Sequence, residues 1–258
     1  MVKGLDVFHD RFRDFGESFI PIGGAACDQW FGEQGLAFRR TRDLDSMLIV
    51  EALNRDFISA FRNFVDEGGY EIRERSADSP ILFRFAKPKD ERFPVILELF
   101  SRSPDVLELA EGQTIIPVAA ETDHHSLSAI LMDEVYYALL RSRRIERDGI
   151  QFASISALIP LKARAWLNLS ARRKGGGKVD SGDVDKHRTD VFRLAATLPD
   201  EPGTETPPTV QADLSRFLEA FSEASPEWPR IMDALRPIFG GALKPADLRL
   251  AIQTYFRL

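Results

Sequence analysis

The sequence predicts an α+β protein: a short mixed β-sheet flanked by helices, followed by a C-terminal helical region. Three observations carry that expectation. Short apolar runs of strand length, Phe19–Ile22, Met47–Val50, Ile81–Ala86 and Pro94–Phe100, alternate in the first half with segments of helical period. The first run breaks at Gly23-Gly24, where a helix can start directly behind a strand. Beyond about residue 150 the apolar positions recur only at helical spacing.

Taken in order, Leu5, Val7, Phe8, Phe12 and Phe15 give residues 4–16 a helical period, which predicts a first helix packed on the sheet. After Phe19–Ile22, the helix begun at Gly23-Gly24 would turn its free backbone N–H groups towards an incoming anion. The single cysteine, Cys27, falls in that helix and reads as a small core residue. Thr41-Arg42-Asp43-Leu44-Asp45 reads as extended, so Asp43 and Asp45 project to one side and Leu44 to the other. Like charges held this close repel unless something neutralises them. A hard divalent cation such as Mg²⁺ does so, and the alternative is a solvated pair at a strand end with Arg40 and Arg42 as counter-ions.

A second amphipathic helix is expected over Leu53–Val65, ending near Gly68-Gly69, and then strands over Tyr70–Arg73, Ile81–Ala86 and Pro94–Phe100. The last two flank the polar turn Lys87–Glu91 and form a hairpin. Glu98 is a lone charge inside an apolar strand, which costs free energy unless the carboxylate is paired or bound to metal; an edge-strand glutamate facing water is the alternative. Ser126–Leu131 reads as a strand and Met132–Arg147 as a helix stopping at Asp148-Gly149. His124-His125 has no second cluster at metal-ligand spacing and reads as structural or surface.

A long helix is expected over Ser156–Arg173, with Ser156 as its cap and Pro160 in its first turn. Leu158, Ile159, Ala165, Trp166 and Leu169 form its apolar face, and Lys162 falls in the middle of that face. Either the ammonium is buried and reaches towards phosphate, or the stem lies over the core while the ammonium snorkels to water. After Gly175-Gly176-Gly177, Asp183–Leu194 continues as a helix with Asp190 at the border of its apolar stripe and Lys186 as an i, i+4 partner. Residues 199–210 are a linker by composition, and Gln211–Phe221, Pro226–Phe239 and Pro245–Phe256 read as short helices.

Composition bounds the function. With 44% hydrophobic and 29% charged residues the chain is of ordinary globular type, and no apolar run is long enough to span a bilayer. The N-terminus lacks the apolar core of a signal peptide and one cysteine cannot form an internal disulfide, so a cytoplasmic protein with no membrane partner is expected. A net charge of -6 argues against broad charge-driven nucleic-acid binding. A local basic groove from Arg141, Arg143, Arg144, Arg172, Arg173, Lys174 and Lys178 is one reading of the cationic runs, and solvated helix ends are the other.

Strand, Gly-Gly, helix and a second strand bearing Asp-x-Asp resembles the nucleotidyltransferase superfamily. More narrowly, Arg40-Thr41-Arg42-Asp43-Leu44-Asp45 is similar to the pattern of the abortive-infection E-system (AbiEii) toxins. Gly-Gly stands here where Gly-Ser is commoner. The resemblance covers residues 15–198 and implies a nucleotidyltransferase fold, with a catalytic core over 1–150 and a helical part over 151–200 completing the active site; the linker and helical subdomain over 201–258 lie outside it and are read from composition and helical period. It implies an enzyme moving a nucleotidyl group from a nucleoside triphosphate to an acceptor, with Mg²⁺ or Mn²⁺ held by Asp43, Asp45 and Glu98. Gly23, Gly24 and Thr41 would bind the nucleotide, Lys162 would contact its phosphates, and Asp190 would position substrate beside that lysine. The acceptor implied is an RNA such as the end of a tRNA, and the partner a cognate antitoxin. A small-molecule acceptor, as in antibiotic-modifying relatives, and a catalytically silent interaction protein of the same fold stand as rivals.

Overall fold

The computed structural model describes residues 3–39, 41, 43–72, 82–100, 108–109, 113–114, 130 and 133–258. They fall into two compact units, Met1–Ser154 and Ile155–Leu258.

In the first unit β1 (Phe19–Pro21), β2 (Asp43–Leu48), β3 (Glu71–Ile72), β4 (Leu82–Ala86) and β5 (Ile96–Phe100) form one sheet in the order β1-β2-β5-β4-β3. β2 and β5 run parallel and every other neighbour is antiparallel, so the sheet is mixed, as expected of the α+β class. The expected hairpin is present: Leu82 pairs with Phe100 and Ala86 with Ile96.

Register sorts the side chains onto two faces, because partners across a ladder point the same way and successive residues alternate. Leu44, Leu97 and Phe85 share one face. Against it pack α1 (Leu5–Phe12), a 3₁₀ turn at Arg13–Phe15, and α3 (Arg55–Gly68). Phe8, Phe12, Phe19, Phe57, Phe61, Phe64 and Phe85 interlock there with ring centroids between 4.5 and 6.2 Å, every one of them buried. Each buried phenyl contributes roughly 2–3 kcal/mol, so this face alone anchors the unit. α3 starts where the Asn54 side chain accepts the Phe57 N–H at 2.8 Å, and stops at Gly69, whose φ of 59° lies in the left-handed region.

The opposite face carries Asp43, Asp45 and Met47 of β2, Glu98 and Phe100 of β5, and Arg84 of β4. α2 (Gly23–Glu33) leaves the end of β1 and packs beside β2, burying Ala25, Ala26, Cys27 and Phe31. Further on, β6 (Glu108–Leu109) bridges to β7 (Gln113–Thr114), and α4 (Glu134–Ser142) buries Tyr136 and Tyr137.

The helix read over Met132–Arg147 ends at Ser142; Arg144–Arg147 is instead strand β8, paired with β9 (Ile150–Ala153) in a tight hairpin. Asp148 and Gly149 have φ of 51° and 85°, and two successive positive φ values are the requirement of a two-residue hairpin turn rather than of a helix stop. Of the strand expected at Ser126–Leu131 the structure describes Ile130 alone, which is buried and in helical conformation; the rest of it, His124-His125, Arg40, Arg42, Arg73 and Ile81 lie outside the described residues.

The second unit is helical: α5 (Ile155–Lys174), α6 (Ser181–Ala195), α7 (Pro208–Ala220), α8 (Trp228–Phe239) and α9 (Pro245–Phe256). α5 packs on α6 and α7, and α6 on α8 and α9, around a cluster of Trp166, Phe192, Phe217, Phe221 and Trp228. The stretch between α6 and α7 is irregular, as its composition predicts, and Gly203 is tied to α9 through its N–H to the Tyr255 carbonyl at 2.9 Å. α5 begins at Ile155, so Pro160 lies inside the helix and not in its first turn. Its ring removes the one backbone bond that the carbonyl of Ser156 would otherwise accept. Among the described residues no helix is long and apolar enough to cross a membrane.

Candidate functional site

At the junction of β1 and α2 the chain turns with no room for side chains. Ile22 donates its N–H to the Asp45 carbonyl at 2.8 Å, which fixes the end of β1 against β2. Gly23 follows with φ of +62°, and a Cβ there would run into the Asp45 carboxylate. At Gly24 a Cβ would sit 2.7 Å from Thr41 Oγ1. The glycine pair is therefore required twice over, by backbone conformation and by the close approach of Thr41 and Asp45.

Next to this turn lies a row of charges across the sheet. Asp45 is the direct partner of Glu98 on the parallel strand β5, and Glu98 is the direct partner of Arg84 on β4. Asp43 stands one pleat along the same face, opposite Ile96. Asp43 and Asp45 are half-buried, whereas Glu98 is 1% exposed, which excludes a water-facing edge glutamate: β5 is a central strand. Arg84 Nε lies 3.2 Å from Glu98 Oε1 and offsets part of the repulsion among the three carboxylates. Gly23, Gly24, Thr41, Asp43, Asp45 and Glu98, all singled out from sequence, are thus gathered at one corner of the first unit.

That donor set suits a hard cation. All its side-chain donors are oxygens, and two of the carboxylates, Asp43 and Asp45, are only half-buried. Among the described residues no three His, Cys, Asp or Glu side chains converge on a point as a closed metal cage would require. Mg²⁺ needs no such cage, since it is commonly held by one or two carboxylates with waters and substrate phosphates in its other positions.

Lys162 and Asp190 belong to the second unit and meet there. Lys162 Nζ lies 3.0 Å from Asp190 Oδ2, and Arg193 Nη1 donates to Asp190 Oδ1 at 2.6 Å. Lys162, Asp190 and Arg193 are 4%, 0% and 7% exposed, so the lysine does not snorkel. The expected pairing of Asp190 with Lys186 is replaced by these two: one oxygen of the carboxylate faces the neighbouring helix and the other faces the next turn of its own.

Arg84 and Arg193 were not anticipated from sequence. Arg84 is the lone charge of Leu82–Ala86, and the hairpin register that sets it opposite Glu98 was its one available signal. Of the basic residues, Arg141 pairs with Glu51 at 3.2 Å and Arg144 with Glu17 at 3.0 Å, while Arg172, Arg173, Lys174 and Lys178 are exposed around the end of α5. No protein-family model matches the chain, and neither does any curated protein.

Proposed function

We propose that the chain is a divalent-metal-dependent nucleotidyltransferase that moves a nucleotidyl group from a nucleoside triphosphate to a hydroxyl acceptor. The observation that carries this reading is the gathering of Asp43, Asp45 and Glu98 on one sheet face beside the Gly23-Gly24 turn. Asp43 and Asp45 would hold Mg²⁺ or Mn²⁺, which when bound supplies the charge that neutralises a triphosphate. Backbone N–H groups at Gly23 and Gly24 open α2 and favour a phosphate there, with the Thr41 hydroxyl alongside. Glu98, braced by Arg84, stands as the third carboxylate next to Asp45, where it would complete the metal site or draw the proton from the attacking hydroxyl.

The roles of Lys162 in phosphate contact and of Asp190 in positioning substrate rest on the resemblance to the AbiEii toxins. So do an RNA acceptor such as a tRNA end and an antitoxin partner. A small-molecule acceptor is favoured by the net charge of -6. Incubating the protein and Mg²⁺ with each labelled triphosphate and total RNA tests the proposal by label transfer. Transfer that weakens steeply with salt supports an RNA acceptor, through counterion release, and triphosphate binding that never depends on metal refutes the enzyme.

A further inference from the structure

The row of charges across the first unit's sheet has an order. β5 lies between β2 and β4, so Asp45 and Arg84 flank Glu98 from opposite sides. Neighbouring strands are about 4.8 Å apart, and a glutamate has three rotatable side-chain bonds, so Glu98 can turn to either neighbour without movement of the backbone. The contact it makes with β4 is an ion pair, Arg84 Nε lying 3.2 Å from Glu98 Oε1.

This contact bears on the shape of the carboxylate set. Asp43, Asp45 and Glu98 share one face, yet among the described residues no three acidic side chains converge on a point. Arg84 supplies a physical reason, because it holds Glu98 from the side away from Asp45. A guanidinium and a divalent ion are drawn to the same carboxylate oxygens, and they repel each other when both approach one carboxylate. Ligation of an ion by Glu98 therefore comes at the expense of the Arg84 contact.

We propose that Arg84 is a positioning residue that competes with the divalent ion for Glu98: the carboxylate stays with Arg84 until an ion is held at Asp43 and Asp45, and then turns to Asp45 as a further ligand. The proposal rests on the metal site put forward above and assigns Glu98 to the ion rather than to the acceptor hydroxyl. Arg84 thereby tempers the affinity of the site for metal.

The test titrates Mn²⁺ into the full chain and follows the free ion by paramagnetic resonance. Arg84→Met should bind Mn²⁺ about tenfold more tightly than the unsubstituted protein, since the competitor for Glu98 is gone. On a Glu98→Gln background the same substitution should change affinity by less than about threefold, because only repulsion across two strand spacings is then relieved. Arg84→Lys keeps a cation at the position and should stay within about threefold of the unsubstituted protein. A readout that needs no substitution is the nitrogen resonance of Arg84 Nε, which should move on addition of Mg²⁺ with the same midpoint as the backbone amides of Asp43 and Asp45. Weaker or unchanged Mn²⁺ binding by Arg84→Met, equal tightening with and without Glu98, or an Arg84 Nε resonance indifferent to saturating Mg²⁺ overturns the proposal. Each of these results leaves the metal site itself standing where Asp43→Asn with Asp45→Asn abolishes Mn²⁺ binding. An unsubstituted protein that binds no Mn²⁺ removes the metal site, and the role of Arg84 with it.

Discussion

Asp190 offers the sharpest test of how the second unit is held together. Its carboxylate is fully enclosed, with Lys162 Nζ at 3.0 Å on one oxygen and Arg193 Nη1 at 2.6 Å on the other. Asp190→Asn keeps the shape but turns two buried cations towards an amide instead of the carboxylate that separates them. Breaking a buried ionic contact by removing one partner costs about 3–5 kcal/mol. Lys162→Met is milder, because the apolar stem stays and Asp190 remains matched to Arg193. The lost charged hydrogen bond is worth about 1.5–3 kcal/mol, and relief from burying a second cation returns part of it, leaving a net cost of about 1–2 kcal/mol. For a unit of about a hundred residues these figures correspond to a melting temperature lowered by roughly 5–10 °C for Lys162→Met and by roughly 12 °C or more for Asp190→Asn. Thermal unfolding followed by circular dichroism at pH 7 measures both. An Asp190→Asn protein that melts at or above Lys162→Met refutes the reasoning. Turnover of Lys162→Met adds an independent readout: contact with a transition-state phosphate implies a loss of about a hundredfold to a thousandfold, and near-wild-type turnover confines the pair to joining α5 and α6.

Gly23→Ala should cost about 1–3 kcal/mol, since φ of +62° and the Asp45 carboxylate both oppose a Cβ, and it should weaken Mn²⁺ binding measured by paramagnetic resonance; a variant with wild-type stability and metal affinity contradicts the account of the turn. Arg84→Met and Glu98→Gln should each destabilise by about 2–4 kcal/mol, and the double variant should cost less than their sum, because each single change strands a partner across the β4–β5 ladder; additive denaturation free energies contradict the pairing. Glu33 has its carboxyl lowered from 4.5 by Arg147, so its stabilisation is complete above that value and is lost as pH falls through the lower folded one. Glu33→Gln should therefore melt slightly below wild type at pH 7, by under about 1 kcal/mol for so accessible a pair, and coincide with it in strong acid; a gap that widens in acid has the wrong sign.

Much of the first unit was legible because its signals are local. A hairpin needs only two apolar runs and a polar turn, and the Gly-Gly break behind a strand marks the start of α2 from four or five residues. The Asp43/Asp45 face follows from pleat alternation alone. Asp148-Gly149 was read as a helix stop since glycine after a basic stretch satisfies the helix-ending pattern, yet the same dipeptide is the strongest hairpin signal, and residues 150–153 decided for β8–β9. Lys162 stood out in its helix as a charge on an apolar face. Its partners did not, because Asp190 is 28 residues away and Lys186, one helical turn before it, offered the same chemistry at shorter range. Arg84 was missed for a related reason: its place beside Glu98 is set by strand register, which composition does not encode.

The central claim is that Asp43 and Asp45 bind a divalent ion for nucleotidyl transfer, and Asp43→Asn combined with Asp45→Asn tests it most directly when fold, metal binding and label transfer are measured on one preparation. Removing two neighbouring like charges should shift the melting temperature of the metal-free protein by no more than a few degrees, and upward if at all. Mn²⁺ binding and transfer of label from triphosphate should both disappear. A double variant that melts far below wild type, or one that still transfers label, contradicts the assignment of this sheet face as the active site.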